Sequence, residues 1–366
     1  MLNDPLRYHG DQAARGAHLD FAVNVHGDTP SWLKSAIAEA IDDLAAYPDE
    51  ALTDLVRADI ARLHGRSPEE VLLLHGVAEG FSLLPDLGLA ATIIAPQFTE
   101  PEAAFRAAGV DVDSLVLPPP FRLPFALDDG HDADPADLAS RLAGRMAIVG
   151  NPTNPTGVLH SAEDLARVAR LAEVLVVDEA FMDVVDSASA ARASLAEGGG
   201  SNVIIFRSMT KTWAIAGLRC GYALGSPELL RRLARRRPYW PLGTLQLRAM
   251  LAIARRGEDY LPAIRSEISS QRAGMEKALA SAGWTVAPSQ APFLLARAPV
   301  GAGGLGVGKR GEGEHEAARL ALSERGISVR RCDTFAGLDQ TWWRLAVRDE
   351  AQVRQLIDAV RDVTEC

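Results

Sequence analysis

The chain has 366 residues, 48% of them hydrophobic and 23% charged, which is enough for two domains around a large core. Its 38 basic and 48 acidic residues leave a formal net charge of −10, which argues against broad affinity for nucleic acid or an anionic membrane. Cys220, Cys332 and Cys366 are odd in number and far apart, which points to reduced thiols in a cytoplasmic protein, and no apolar stretch reads as a signal peptide or a membrane span.

Amphipathic periodicity predicts helices over Ser31–Leu44 and Ala51–Leu63, with Tyr47-Pro48-Asp49 breaking the chain between them. Val71–Leu74 reads as a short strand that passes through Gly76 into a helix from about Ala78. Thr92–Ala95, Met146–Val149, Val174–Val177 and Val203–Phe206 are short apolar runs of buried-strand type, with helices such as Ala162–Leu171 between them. This alternation predicts an α/β fold with a mainly parallel sheet covered on both faces. Arg231, Arg232, Arg235, Arg236 and Arg237 recur at helical spacing and read as a solvated helix face.

Beyond the arginines, Leu245–Gly283 is largely helical, and predicted strands at Phe293–Ala296 and Ile327–Arg330 flank another helix. The expected division is an N-terminal arm (1–30) joining the small domain, a large domain over 31–240, and a smaller C-terminal α/β domain over 241–366. Residues 301–313 are glycine-rich and expected to form a mobile loop. They contain G-x-G-x-x-G, but with extra glycines and without the surrounding strand–turn–helix unit, so a dinucleotide site is not expected there.

The residues that carry chemistry gather at the ends of the predicted strands. Lys211 lies in Ser208-Met-Thr-Lys211-Thr-Trp-Ala-Ile-Ala-Gly217-Leu-Arg219, between two hydroxyl residues and just after a buried strand. A Schiff-base lysine beside a phosphate cradle has such surroundings, with Ser208 and Arg219 offering a hydroxyl and a bidentate guanidinium. Asn151-Pro-Thr-Asn154-Pro-Thr-Gly157 follows the strand that ends at Val149, and its two X-Pro steps force an extended turn; a plain Asn-Pro turn is the alternative. Asp178 ends the run Val174–Val177, where it could cap a helix, bind Mg²⁺ or hold a pyridinium nitrogen protonated. No G-x-x-x-x-G-K-[ST] loop is present to bring a nucleotide, and no metal site is expected. Gly76-Val77-Ala78-Glu79, between a strand and a helix, offers free backbone N–H groups to a phosphate.

In order and spacing, NPTNPTG, VVDEAF and SMTKTWAIAGLRCGY resemble the motifs of the fold-type I pyridoxal-phosphate enzymes of the class I/II aminotransferase group, over nearly the whole chain. The resemblance implies pyridoxal 5′-phosphate as cofactor, bound to Lys211 as a Schiff base, with Asp178 on the ring nitrogen and Asn154 on the phenolic oxygen. It implies Phe98 stacked on the ring, and the Val77 and Ala78 backbone, Ser208 and Arg219 on the phosphate. Tyr47 matches a tyrosine that reaches the phosphate of the neighbouring subunit, which implies a homodimer with shared sites.

Phe181 stands where these aminotransferases commonly have a tyrosine, and in that respect resembles the threonine-phosphate decarboxylases of cobalamin biosynthesis. Arg330-Arg331-Cys332-Asp-Thr-Phe-Ala-Gly-Leu338, Thr341-Trp-Trp-Arg344, His9-Gly10 and Asp20-Phe-Ala-Val-Asn24 also resemble that branch. By this resemblance Arg344 binds the substrate α-carboxylate, Arg330 and His9 hold a substrate phosphate, and Asn24 lines the mouth. The expected reaction is decarboxylation of L-threonine O-3-phosphate to aminopropanol phosphate, with a histidinol-phosphate type of aminotransferase as the alternative. The segment Asn24-Val-His-Gly-Asp-Thr-Pro30 departs from the family's N-x-N-P-x-G pattern, which leaves the substrate mouth less defined than the cofactor site.

Overall fold

The computed structural model describes residues 5–125, 135–300 and 309–364. Its strands are β1 Leu19–Asp20, β2 Val71–His75, β3 Ala91–Ala95, β4 Val112–Val116, β5 Met146–Gly150, β6 Val174–Asp178, β7 Val203–Ser208, β8 Cys220–Gly225, β9 Thr285–Val286, β10 Phe293–Arg297, β11 Ile327–Ser328, β12 Arg330–Arg331 and β13 Trp343–Ala346.

Seven strands form the large sheet in the order β2-β8-β7-β6-β5-β3-β4, parallel except where β8 runs antiparallel to β2 and β7. Period-2 alternation feeds a core on each face. Leu175, Val177, Val203 and Ile205 enter one apolar cluster, while Val174, Val176, Ile204 and Phe206 enter another on the opposite side. The apolar runs thus have no polar alternation because neither face meets water. Two of these strands escaped the sequence reading. β4 is a sheet edge with a half-exposed pattern, and β8 reads Cys-Gly-Tyr-Ala-Leu-Gly, whose glycines hid it inside the lysine motif.

Helix expectations hold with one shortening. The α-helix Ser31–Ala38 gives way to a 3₁₀ turn, Ile41–Ala45, where Ile41 and Leu44 are exposed and no buried stripe supports further α turns. Within the arginine run, Arg236 pairs with Asp86 on the surface, whereas Arg237 is buried against Glu79, so the run is not uniformly a solvated face.

The small domain is built on the antiparallel sheet β12-β13-β10-β9, beside the parallel pair β1-β11 that ties residues 19–20 to it. Leu19 and Phe21 share its core with Leu294, Leu322, Trp343, Leu345 and Leu356. The 38-residue helix Thr244–Ser281 joins the domains. Its Leu247, Met250, Ile253 and Leu261 pack in the large-domain core, and its Met275 and Leu279 in the small one. The packing changes hands inside this helix, past Leu261.

Residues 301–308 of the glycine-rich stretch lie outside the described residues, but from Lys309 the chain is helical to Glu324, which corrects the expectation of a loop for 309–313. Cys220 and Cys332 are free and buried, and Cys366 lies outside the described residues. No helix among the described residues is long and apolar enough to cross a membrane.

Candidate active site

The carboxyl ends of β5, β6 and β7 meet the small domain and the N-terminal arm around a cavity of about 290 Å³. Every predicted site residue except Tyr47 lines it: Lys211, Asp178, Val77, Ala78, Phe98, Asn154, Ser208 and Arg219, with His9, Asn24, Arg330 and Arg344. Parallel strands bring their C-terminal ends to one edge, which gathers Asp178 and Ser208 from adjacent strands and the Asn154 turn from beyond a third.

Asp178 is buried and Lys211 half-buried, and the two perturb each other. Burial pushes the Lys211 amine down to about 8, helped by the cations of Arg219 and Arg344 and opposed by Asp178. Burial likewise pushes Asp178 up to about 6, opposed by the N–H of Ala180, which donates to its Oδ1 at 3.1 Å, and by Lys211. A buried amine near neutrality is a nucleophile and a proton carrier. Its Nζ lies 5.6 Å from the centre of the Phe181 ring, which packs edge-on against Phe293 with centroids 5.0 Å apart.

A second group of donors lies at the start of the helix Val77–Leu83. Gly76, at φ 71° and ψ 161°, turns the chain out of β2 so that a Cβ there would sit 2.9 Å from Nη2 of Arg219. Arg219 is itself left-handed (φ 59°) and donates to the carbonyl of Ala216 at 3.2 Å. The Ser208 and Thr210 hydroxyls are 2.7 Å apart and both line the cavity. Backbone N–H groups at a helix start, two hydroxyls and a guanidinium lining one cavity suit a phosphate. Thr210 was missed as a site residue; its signal was the pair of hydroxyl residues flanking Lys211, which the sequence reading noted without assigning a role.

The small domain and the arm close the other wall. Arg344 is buried, donates to Asn154 Oδ1 at 2.7 Å and to the Ala22 carbonyl at 2.7 Å, and is lowered to about 9 by burial and by the cation of Arg330. Because the Asn154 oxygen accepts from Arg344, its amide nitrogen is the atom left to donate into the cavity. Asn24 is buried, and its Oδ1 has no hydrogen-bond partner among the described residues. Arg330 lies between the rings of Tyr8 and Phe335, 4.6 and 4.9 Å from their centres, and donates to the Tyr8 carbonyl and the Thr334 hydroxyl at 2.6 and 2.8 Å. His9 Nε2 lies 2.6 Å from Glu100 Oε1, so the arm is fastened to the large domain at the residue expected on a substrate phosphate. Arg348 donates to the carbonyls of Asp20 and Val23 and so anchors the arm.

Tyr47 lies apart from this cavity. It is 75% exposed and stacks on Trp240 with ring centroids 4.4 Å apart.

A buried amine facing a carboxylate, a free amide N–H, an aromatic wall and an anion cradle form a donor set that fits a phosphorylated pyridine aldehyde. The family model for class I and II aminotransferases matches residues 18–360. A histidinol-phosphate aminotransferase of Mycobacterium bovis is 44% identical over 347 residues, covering 94% of this chain and 87% of that protein. One from Gluconacetobacter diazotrophicus is 31% identical over 348 residues, covering 92% and 88%. The solved histidinol-phosphate aminotransferase of Sinorhizobium meliloti, in complex with pyridoxal-5′-phosphate, superposes with a TM-score of 0.79 at 21% identity, covering 97% of this chain and 93% of that one. Both sequence relatives carry the name of an aminotransferase and not of a decarboxylase.

Proposed function

The chain belongs to the class I and II aminotransferases, which are pyridoxal 5′-phosphate enzymes, and on that premise we propose that it moves an amino group between a phosphorylated amino substrate of the histidinol-phosphate kind and a keto acid. The observation that carries this reading is the pair of buried guanidiniums, Arg330 and Arg344, lining the cavity opposite the cofactor cradle. An aminotransferase must accept two substrates in turn at one site. Arg330 takes the phosphate of the amino donor, or the distal carboxylate of its dicarboxylic counterpart. Arg344 takes the α-carboxylate of the counterpart.

When bound, the cofactor supplies the electron sink for the bond broken at Cα. Lys211 would hold it, and its amine, held near 8 so that a useful fraction is neutral around pH 7–8, would take and return the substrate's Cα proton. Asp178 would keep the ring nitrogen protonated, and Asn154, its amide orientation fixed by Arg344, would donate to the ring oxygen. Phe98 would form one wall against the ring, and Val77, Ala78, Ser208, Thr210 and Arg219 would hold the phosphate. His9 and Asn24 close the mouth. A small rotation about N–Cα decides which bond stands perpendicular to the ring, so Arg330 and Arg344 choose the reaction by how they orient the substrate.

The exposed group Tyr47, Tyr239, Trp240, Ile41 and Leu44 supports a homodimer in which Tyr47 completes the phosphate cradle of the second copy. The free, buried thiols accord with a cytoplasmic enzyme.

Phe181 favours a second reading, decarboxylation of threonine phosphate, because its ring offers no hydroxyl to the cofactor oxygen. Purified protein given histidinol phosphate and 2-oxoglutarate is expected to form glutamate. Carbon dioxide from threonine phosphate, with no glutamate in the first assay, would overturn the aminotransferase reading in favour of the second.

A further inference from the structure

Strand parity places a buried charge cluster directly behind the cofactor edge. Asp178 ends β6 and Ser208 ends β7, and both line the cavity. Their chain neighbours Glu179 and Arg207 do not line it. Their side chains are 0% and 10% exposed, and Arg207 Nε lies 2.8 Å from Glu179 Oε2. The same guanidinium reaches Asp183 Oδ1 at 2.9 Å and donates to Ser194 Oγ at 3.3 Å, while Ser194 Oγ donates to Glu179 Oε2 at 2.9 Å. Arg265, from the helix that joins the domains, donates to the Asp183 carbonyl at 2.8 Å.

Replacing a buried ion pair with apolar groups often costs no stability, because desolvation offsets the attraction. Two carboxylates and an arginine at this depth are therefore poorly explained as a contribution to folding energy. What a planar guanidinium supplies is a fixed fork that holds several acceptors in one geometry. Glu179 and Asp183 bracket the turn that follows Asp178, and the Asp178 carboxylate is held within that turn by the N–H of Ala180. Arg207 is covalently next to Ser208. One side chain thus ties the turn that aims the ring-nitrogen carboxylate to the strand end that presents the phosphate hydroxyl.

We propose that Arg207, with Glu179 and Asp183, is the positioning element of the cofactor site, setting the angle and separation of Asp178 and Ser208 from the opposite face of the sheet. The inference rests on the cofactor assignment and is independent of which amino substrate is used.

The test needs no substrate. Arg207→Met, Arg207→Lys and Glu179→Gln are compared with Arg319→Met, which removes a largely buried pair to Glu316 (2.7 Å), neither member of which lines the cavity. Pyridoxal phosphate is titrated into each apo-protein, and the visible circular dichroism of the bound cofactor is read per mole bound, with the melting temperature of the apo form. A positioning role predicts that Arg207→Met loses at least half the dichroic amplitude and about ten-fold or more in cofactor affinity. Arg207→Lys and Glu179→Gln fall between it and the parent, and Arg319→Met changes neither reading. Full amplitude and unchanged affinity in Arg207→Met would overturn the proposal, whatever the melting temperature does. Should Arg207→Met not fold, unchanged amplitude in Glu179→Gln overturns it equally.

Discussion

Gly76→Ala separates backbone strain from ligand contact at one atom. Gly76 sits at φ 71° and ψ 161°, a region that essentially only glycine occupies and that costs other residues about 1–3 kcal/mol. That strain is present with or without cofactor, so it lowers the melting temperature of both forms by a few degrees. The added Cβ would also lie 2.9 Å from Nη2 and 3.3 Å from Cζ of Arg219. The guanidinium is the far end of a flexible side chain and moves away, which removes a charge-assisted hydrogen bond worth about 1.5–3 kcal/mol from the phosphate. At about 1.4 kcal/mol per factor of ten, cofactor binding weakens roughly 10- to 100-fold. Titrating apo-protein with pyridoxal phosphate measures this directly, and a double-mutant cycle with Arg219→Ala isolates the contact. In the Arg219→Ala background the glycine change is expected to cost stability but little further affinity. Full parental affinity in Gly76→Ala, or an undiminished penalty after Arg219 is gone, would refute this account of the cradle.

Asp178→Asn should stabilise the cofactor-free protein while disabling cofactor binding. Folded Asp178 holds its proton to about pH 6, against 3.8 when unexposed to the fold, so the native state binds the extra proton and this group's contribution to stability falls as pH rises between those values. The apo-variant should therefore be more stable than the parent at pH 7, by about 1–3 kcal/mol, with no advantage below pH 4; a less stable variant in denaturant titrations at pH 7 would contradict the burial argument. The shared-site dimer predicts complementation: Lys211→Ala and Tyr47→Ala proteins, each impaired alone, should regain activity when unfolded and refolded together, since a mixed dimer holds one complete site, and failure to recover would place Tyr47 outside the site. Arg348→Met frees the arm at the carbonyls of Asp20 and Val23 and is expected to raise the KM for the amino substrate several-fold with little change in cofactor affinity, a split that steady-state kinetics and titration resolve.

The large sheet was legible in sequence because its strands are buried on both faces and appear as uninterrupted apolar runs. β4 and β8 were not, since an edge strand alternates and a glycine-flanked strand looks like a turn. The separation of cofactor residues from the rest followed from strand ends, where Asp178, Ser208 and the Asn154 turn must meet in a parallel sheet. Contacts that depend on tertiary closure carried no local signal. His9 faces Glu100 across 91 positions, and Arg344 reaches Asn154 across 190. Glu179 and Arg207 were adjacent to named site residues, yet only the register of β6 and β7 reveals that they meet.

The central claim is transamination on a lysine-bound cofactor, and a half-reaction tests it most directly. Holoprotein mixed with histidinol phosphate alone, with no keto acid present, should lose the visible absorbance of the lysine-bound cofactor and yield one equivalent of keto product per site, and 2-oxoglutarate should then restore the absorbance with one equivalent of glutamate. Absorbance that stays unchanged with histidinol phosphate, while threonine phosphate is turned over many times with release of carbon dioxide, would contradict it.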